Sequence, residues 1–367
     1  MKTFMIIVAA LLFFCGTAAD AAIRYVSQTG AGSYTLPSSA FTAAVAGDTI
    51  LIGPGYFVEG FNISVNKRCV WIGAGWDQTN IYLSGVLFNF NSSAGSGTSI
   101  EGVRITSSSS SVCLYSTTNG ADSITARRCL LVGGSGQNTV TWTSTSAGRL
   151  FLEDCILINY YQYANAMDGP RSGGVIRNCV LVSNITVSNG NGWAIGSANA
   201  YTGSLEVYNC TFLNWDDIFS MPAGSPAAVI INNAAYDFTG GTASWGTIAG
   251  SSVIDYNASP ATPAAPGTNP LVIAANPFVN YDPAANYVIG TTDLHLVGGS
   301  NLIDGGNPGL LDVDGSRSDV GVYGGPRPLI DNGVPNYPWA VNIVNTPNVA
   351  GQGTPVNATA IGRVGPQ

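Results

Sequence analysis

Two short segments in the middle of the chain place acidic residues beside a base or beside each other. Asp168-Gly169-Pro170-Arg171 holds a carboxylate and a guanidinium in one loop, and Asp216 and Asp217 are adjacent. An acid and a base in one loop could transfer a proton, and two carboxylates at a suitable separation are the minimum for glycoside hydrolysis. These four residues are the candidate catalytic groups.

Both pairs also have a structural interpretation, which we favour. Neighbouring residues of a strand face opposite sides of a sheet, so the adjacent aspartates would not act together. The loop pair is explained equally well by a turn with a local ion pair. Other acid–base groups are scarce, since His295 is the only histidine and Lys67 is the only lysine after residue 2.

Three tyrosines form a candidate ligand-binding group. Tyr160, Tyr161 and Tyr163 fall in a predicted turn. Exposed aromatic rings there could stack on sugar rings, although three rings in a turn could equally pack on a neighbouring part of the chain. We predict a ligand contact at these positions.

One acidic segment is a candidate metal site. Asp312, Asp314 and Asp319 lie within the sequence DVDGSRSD, and carboxylate oxygens are the ligands that Ca²⁺ prefers. The position of the glycine and the missing terminal glutamate depart from an EF-hand loop. The segment is predicted to form a hairpin with or without a structural Ca²⁺ ion, and no other cofactor is predicted.

These candidates surround a phrase that occurs four times. Its cysteines, 129, 155, 179 and 210, are 26, 24 and 31 residues apart. Each copy reads as strand, polar corner, strand and turn, and one copy cannot bury its apolar face alone, so the copies must stack. The copies are RRCLLVG (Arg127–Gly133), EDCILIN (Glu153–Asn159), RNCVLVS (Arg177–Ser183) and YNCTFLN (Tyr208–Asn214), with a fainter one, KRCVWIG (Lys67–Gly73).

Stacking has three consequences. The cysteines should form an inward column of free thiols, because stacked residues hold their Cβ atoms near the rung spacing of ~4.8 Å rather than the ~3.8 Å of a disulfide. The polar doublets should form a charge ladder along one corner. The outward positions beside the inner leucines are also apolar, so a loop, the C-terminal tail or a partner should cover that face.

The ends of the chain have their own signals. Residues 1–21 have a basic start, an apolar core and a small-residue cleavage site, which predicts a targeting segment and a secreted, extracellular or cell-surface protein. No later apolar run could span a membrane. The net charge of −8 argues against nucleic acid as a partner.

The domain prediction follows from these signals. Residues 22–48 form an N-terminal cap with one short helix, 49–300 a β-helix, 301–330 a looped C-terminal cap, and 331–367 a tail with one strand, Trp339–Val344, on the outside. Residues 86–123 are predicted to form less regular coils. The tail or the outer apolar face could also support self-association.

The two ends of the predicted solenoid resemble a known family. Residues 23–85, with AFTAAVAGDTILIGPGYFVEGFNISV, and residues 280–325, with DLHLVGGSNLIDGG, are similar to bacterial secreted proteins of the pectin-lyase-like superfamily. This resemblance implies an all-β chain forming a single right-handed parallel β-helix. The superfamily contains both enzymes and non-catalytic surface proteins, and the Asn-Thr-Asp and Gly-His-Gly phrases of its hydrolases do not occur here.

Three functions follow as hypotheses. The first is a non-catalytic extracellular protein that binds polysaccharide or neighbouring proteins, because acid–base groups are scarce. The second is a divergent polysaccharide lyase or glycoside hydrolase that uses the loop at Asp168. The third is a self-assembling fibre or appendage subunit that uses the tail strand.

Overall fold

Three long parallel sheets wind around one apolar interior. A computed structural model describes residues 21–364 apart from 30–31, 86, 91, 109–110, 118–122, 146–147, 185–191, 239–243, 336–337, 347–354 and 356. Sheet A has ten strands, sheet B ten and sheet C eight, and within each sheet neighbouring strands come from successive coils of the chain. The predicted right-handed parallel β-helix is confirmed, as the usual hand of parallel crossovers requires.

The strands are short, and each coil contributes one strand to each sheet through most of the molecule. Sheet A contains Ile23–Val26, Thr49–Ile52, Val70–Gly73, Ser99–Glu101, Ile124–Arg127, Leu150–Glu153, Gly174–Arg177, Leu205–Tyr208, Val229–Ile231 and Val253–Asp255. Sheet B contains Gly55–Glu59, Thr79–Leu83, Arg104–Ser107, Leu130–Val132, Ile156–Asn159, Val180–Ser183, Thr211–Leu213, Ala234–Tyr236, Ala258–Ser259 and Leu271–Val272. Sheet C contains Ile63–Ser64, Phe88–Asn89, Leu114–Ser116, Val140–Trp142, Met167–Asp168, Trp193–Gly196, Asp217–Ser220 and Ser244–Thr247.

The repeated phrase spans the corner between sheets A and B, in the predicted register. Leu131, Leu157, Leu181 and Phe212 stack directly on one another inside. The second residue of each polar doublet adopts a positive φ, which turns the chain from one sheet to the next. Asparagine and aspartate tolerate this conformation better than other residues with a side chain. These corner residues are Arg128, Asp154, Asn178, Asn209, Asn232 and Tyr256, with φ between 49° and 59°.

Aromatic rings fill the interior at the N-terminal end. Trp71 meets Phe88 edge to face with ring centroids 5.1 Å apart, and Phe88 meets Phe90 at 5.0 Å. Each such pair contributes about 0.5–1.5 kcal/mol to stability beyond the contribution from burying its apolar surface. The strand pattern that the sequence predicts is therefore matched by a continuous core from coil to coil.

The cysteine column is present, and its thiols are free. Cys129, Cys155, Cys179 and Cys210 are fully buried, as are Cys69 and Cys113, and all six are unpaired. Each thiol of the column donates to the carbonyl two residues earlier, for example from Cys155 to Glu153 at 3.2 Å. Burial raises the pKa of the column thiols at Cys129, Cys155 and Cys179 well above the ordinary value. The prediction of free thiols is confirmed.

We expect these six thiols to be unreactive in the native protein, because a buried neutral thiol is a poor nucleophile. With a chain that begins at residue 22, a colorimetric thiol reagent should titrate less than one thiol in native buffer within minutes. It should titrate all six after denaturation in guanidinium without reductant. Fewer than six in the denatured sample would reveal disulfides and contradict the structure.

The fainter copy of the phrase is a wrong prediction. Cys69 precedes Val70–Gly73, a strand of sheet A, whereas the four true copies have their cysteine before a strand of sheet B. Lys67–Gly73 therefore turns the corner between sheets C and A. The same local pattern, a polar doublet followed by a cysteine and a β-branched run, fits both corners.

The N-terminal cap contains the predicted helix, at Pro37–Ala43. Its C-terminal end is held by Lys67, whose Nζ donates to the carbonyls of Ala44 at 2.8 Å and Thr42 at 3.2 Å. The ammonium group also lies 4.8 Å from the centre of the Phe41 ring. The first strand, Ile23–Val26, lies within the predicted cap region but pairs with Thr49–Ile52 as part of sheet A.

The C-terminal segment covers the outer face of sheet B in the middle coils. The predicted apolar ladder, which includes Leu130, Ile156, Val180 and Leu213, is buried against residues between Phe278 and Leu329. The corner residues hold this segment through hydrogen bonds to its backbone. The prediction that something covers the face is confirmed, and the cover is the chain itself, so the ladder is not an open surface for self-association.

The C-terminal segment contains two small elements. A two-stranded antiparallel sheet pairs Phe278–Asn280 with Asp293–Leu296. Short 3₁₀ turns occur at Asp331–Gly333 and, within the coils, at Ser93–Gly95. Residues 86–123 are more regular than predicted, since their described part supplies strands to all three sheets.

The tail differs from the single strand predicted. Trp339–Thr346 pairs antiparallel with Asn357–Arg363, and the two form a sheet separate from the solenoid. Arg363 ties the hairpin to the first coils through an ion pair with Asp77 at 2.6 Å. Self-association through the tail stays a prediction, which light scattering of a chain lacking residues 331–367 would test.

The described residues contain no helix long and apolar enough to cross a membrane. The predicted targeting segment, residues 1–21, lies outside the described residues except for Ala21.

Candidate functional site

The outer face of sheet C carries one column of aligned side chains, which we call the sheet C column. Its strands alternate, with Leu114, Val140, Met167, Ile195 and Phe219 pointing inward. The residue that follows each of them points outward, except at Gly196, which has no side chain. The column consists of Ser64, Asn89, Tyr115, Thr141, Asp168, Gly196, Ser220 and Thr247.

Asp168 is the one charged member of this column and lies near its middle. Its strand neighbours are Thr141 on one side and Gly196 on the other. Burial raises the pKa of the Asp168 carboxyl, and the charge of Arg171 offsets this only in part. The candidate acid is thus placed on a surface that a ligand can reach, and its protonated form is favoured more than that of an exposed aspartate.

Arg171 is occupied elsewhere. Its Nε donates to the Ala200 carbonyl at 3.1 Å, and its Nη1 to the Thr143 carbonyl at 3.4 Å. The same loop is fixed by Tyr201, whose hydroxyl donates to the Gly169 carbonyl at 3.0 Å. Among the described residues, Arg171 forms no ion pair with Asp168 within 4 Å. Arg171 joins neighbouring coils and is not placed as a base.

The two candidate carboxylates of the other pair are not brought to Asp168. Asp217 begins a strand two rungs away and accepts a hydrogen bond from the Ser244 hydroxyl at 2.5 Å. Asp168 and Asp217 are separated by two rungs and by three residues along the strand direction, which corresponds to about 14 Å. The separations used in glycoside hydrolysis are about 5–9.5 Å. Asp216 directly precedes this strand, so neither aspartate forms a hydrolytic pair with Asp168.

Trp193 is a member of this face that the sequence analysis missed. It is half-buried at the start of the strand Trp193–Gly196 and lies against Gly196. A Cβ on Gly196 would come within 2.6 Å of the indole ring, so only glycine leaves room for it. A glycine inside a strand often marks such a close approach, and this was the signal available in the sequence.

The three candidate tyrosines lie together on the turn that leads from sheet B to the strand of Asp168. Tyr161 and Tyr163 meet edge to face with centroids 6.1 Å apart, and the exposed fraction of Tyr163 is 71%. Tyr160 is 41% exposed and accepts a hydrogen bond from the Asn184 amide at 3.2 Å. Tyr160 and Tyr163 are exposed and Tyr161 is half-buried, and the ligand contact at these three residues stays a prediction.

The candidate calcium ligands serve as turn caps. Asp312 accepts from the backbone N–H of Asp319 at 3.0 Å and of Gly325, and Asp314 accepts from that of Ser316 at 2.9 Å. Asp319 accepts from the backbone N–H of Asp304 at 2.8 Å. No group of three or more acidic, histidine or cysteine side chains in the described residues is placed to hold one metal ion. The loop directs each carboxylate to a different backbone amide, and calcium binding at these three residues stays a prediction.

The two remaining titratable candidates lie away from the sheet C column. Lys67 caps the N-terminal helix, as described above. His295 is exposed, stacks on Tyr323 with ring centroids 3.8 Å apart, and contacts Asp293 at 2.7 Å. Neither residue supplies a base near Asp168.

Comparison with solved structures gives similar folds. The chain is similar to pectate lyase Pel9A, with 14% identity, a TM-score of 0.46, and coverage of 82% of this chain and 96% of that one. It is also similar to pectin methylesterase PemA from Erwinia chrysanthemi, with 15% identity, a TM-score of 0.40, and coverage of 60% and 80%. It is similar as well to pectin methylesterase from carrot, with 14% identity, a TM-score of 0.39, and coverage of 69% of this chain and 88% of that one.

A comparison with family models gives no match, and neither does one with curated proteins. At the identities and TM-scores above, the neighbours carry no argument about residues or activity. The sheet C column offers hydrogen-bonding groups, one aromatic residue, Tyr115, with Trp193 beside it, and one carboxyl. Among the described residues, the basic group nearest in sequence, Arg171, is bound to carbonyl groups.

Proposed function

We propose that the protein binds an extended polysaccharide along the sheet C column and does not cleave it. The observation that carries this proposal is the aligned column itself, in which polar residues and Tyr115 repeat at the rung spacing of ~4.8 Å, with Trp193 beside them. Hydroxyl, amide and aromatic groups are the groups that recognise sugar hydroxyls and ring faces.

The other two outer faces support this choice. The middle coils of sheet B, from Leu130 to Leu213, are covered by the C-terminal segment. Sheet A carries a ladder of arginine and glutamate side chains that pair with one another. A linear ligand that ran along the solenoid axis on sheet C would meet side chains from successive coils, which suits a repeating polymer.

The described residues near Asp168 favour binding over turnover, because none of them is placed as a base. Arg171 is held by two carbonyl groups, and Asp217 lies about 14 Å away by strand geometry. Proton abstraction or glycoside hydrolysis needs a second group within reach of the same sugar unit. A secreted or cell-surface protein with this face would attach to polysaccharide and would leave it intact.

Alanine variants on sheet C should weaken polysaccharide binding. We expect Trp193→Ala and Tyr115→Ala each to weaken binding by about tenfold, because each removes about 1–2 kcal/mol of stacking and hydrophobic contact. Affinity electrophoresis and calorimetry against a panel of neutral and acidic polysaccharides, with and without Ca²⁺, would measure this. Tyr56→Ala is the matched control, since Tyr56 is 49% exposed on a strand of sheet B.

The same panel tests the catalytic alternative. Reducing-end and unsaturated-product assays should show no turnover by the unaltered protein. Turnover that Asp168→Asn abolished would overturn the non-catalytic proposal. Equal loss of binding in Tyr56→Ala and Trp193→Ala would show that the sheet C column is not the binding face.

A further inference from the structure

A cavity of about 240 Å³ lies at the corner between sheets A and B, where the C-terminal segment crosses it. It is far from the outer face of sheet C and does not rest on the function proposed above. Its wall combines two arginines, a tyrosine, two asparagines and two apolar residues. They are Arg177, Arg327, Tyr208, Asn178, Asn209, Leu310 and Pro326.

Arginines outnumber carboxylates around Glu153, and Glu206, which accepts a hydrogen bond from the wall residue Tyr208, is itself paired with Arg149. Glu153 is buried beside the cavity. Its carboxylate forms ion pairs with Arg127 at 2.7 Å, with Arg177 at a shorter distance and with Arg327 at 3.5 Å. Three guanidinium groups thus share one carboxylate, in a protein whose net charge is −8. A local excess of positive charge in an acidic protein attracts anions to that point.

Both arginines of the cavity keep donors for a ligand. Arg177 binds Glu153 through Nε and Nη2, which leaves its Nη1 group. The side chain of Arg327 is 55% exposed, and its one ion pair within the described residues is the 3.5 Å contact to an oxygen that Arg127 already approaches. Guanidinium groups bind carboxylates through paired N–H donors.

The rest of the wall favours an organic body over a bare inorganic ion. Leu310 and Pro326 supply apolar surface, and Tyr208 supplies a half-buried ring whose hydroxyl donates to Glu206 at 3.5 Å. The two asparagines are fixed, because Asn178 donates to the Val322 carbonyl at 3.0 Å and Asn209 to the Asp319 carbonyl at 3.0 Å. The wall is therefore formed before any ligand arrives.

We propose that this corner cavity is a binding site for a small organic carboxylate of about monosaccharide size, such as a uronate. The carboxylate would lie between Arg177 and Arg327, and the ring would rest on Leu310, Pro326 and Tyr208. The same chemistry could be offered by a free acid or by the end of an acidic polysaccharide.

Calorimetric titration of the full chain with D-glucuronate, and with D-glucose as the uncharged match, tests the proposal. We expect binding of glucuronate and none of glucose. Arg327→Gln should weaken binding at least fivefold, since it removes the more exposed of the two arginines and only the 3.5 Å contact to Glu153 with it. Arg363→Gln is the matched control, because Arg363 pairs with Asp77 at the N-terminal end, and it should bind like the unaltered protein.

Further arms separate the sources of the carboxylate and the alternatives. A glucuronate-terminated oligosaccharide that binds more tightly than the monosaccharide would assign the site to a polymer end, and equal binding would assign it to a free acid. Sulfate that competes as strongly as glucuronate would overturn the assignment of a carboxylate. Absence of glucuronate binding, or equal weakening by Arg363→Gln, would overturn the site. None of these outcomes depends on Trp193 or Tyr115, so the two proposals fail separately.

Discussion

Replacing Asp154 with asparagine is expected to stabilise the protein at pH 8 by about 2–4 kcal/mol, because burial raises the pKa of this carboxyl to about 7. Asp154 occupies the corner ladder at φ 53°, between Arg128 and Asn178. Its Oδ1 has no hydrogen-bond partner among the described residues. Asparagine keeps the shape and the backbone conformation, and it removes a charge that the site does not solvate.

The pH dependence has a definite sign. The unfolded carboxyl loses its proton near pH 4, whereas the folded one keeps it until about pH 7. Between these values the folded state binds more protons than the unfolded state, so the stability of the unaltered protein falls as pH rises from about 4 through about 7. The Asp154→Asn variant should lack this fall, and the gap between the two should be small at pH 4 and full at pH 8.

Thermal and urea unfolding at several pH values would measure the gap. Asp304→Asn is the matched control, since Asp304 also has a positive φ of 53° but is exposed. We expect that control to change stability by less than about 0.5 kcal/mol. A destabilised Asp154→Asn variant at pH 8 would mean that the ionised carboxylate has partners that the structure does not show.

Replacing Glu153 with glutamine is expected to destabilise the protein by about 2 kcal/mol at pH 7. The glutamate side chain is 5% exposed, whereas Arg127 and Arg177 are 39% and 35% exposed, so solvent screens part of the loss. The variant leaves three arginines around a neutral amide. Urea unfolding with a constant dependence on denaturant would give the change in the free energy of unfolding.

This contribution should disappear in acid. Burial alone would raise the pKa of the Glu153 carboxyl, but hydrogen bonds from Arg127 and Arg177 outweigh it and lower the pKa. The stabilisation is therefore present above the unfolded pKa, near 4.3, and is lost as pH falls through the folded pKa. Glu206→Gln is the control, since its ion pair with Arg149 is more exposed. A larger loss in that control would contradict the ladder as a buried network.

The repeat made much of the interior predictable. A position that points inward on every coil accepts few residue types, so the cysteine and leucine columns were visible in the spacing alone. The corner doublets were visible for a similar reason, because a left-handed residue on every coil favours asparagine and aspartate. The true copies therefore predicted strand, corner and charge ladder with their correct register.

Contacts between distant segments were not predictable in the same way. The apolar ladder required a cover, but nothing local indicated that Phe278–Leu329 supplies it. Asp168 and Asp217 were plausible catalytic groups by residue type, yet the distance between them depends on how many rungs separate their strands. Trp193 was missed because Gly196 marks only that something approaches the strand closely, and the sequence does not show that the approaching group is the Trp193 ring.

The attachment of the C-terminal segment has a consequence for the order in which the protein is assembled. Arg128 holds the Val334 carbonyl 206 residues later, and Asn178 holds Val322 and Gly324 across 144 and 146 residues. During synthesis the middle coils leave the ribosome well before the C-terminal segment that covers them. The apolar outer surface of sheet B is therefore exposed to water until that segment has been synthesised. A chain that stopped near residue 270 would keep that surface bare, and we expect it to aggregate where the complete chain stays in solution.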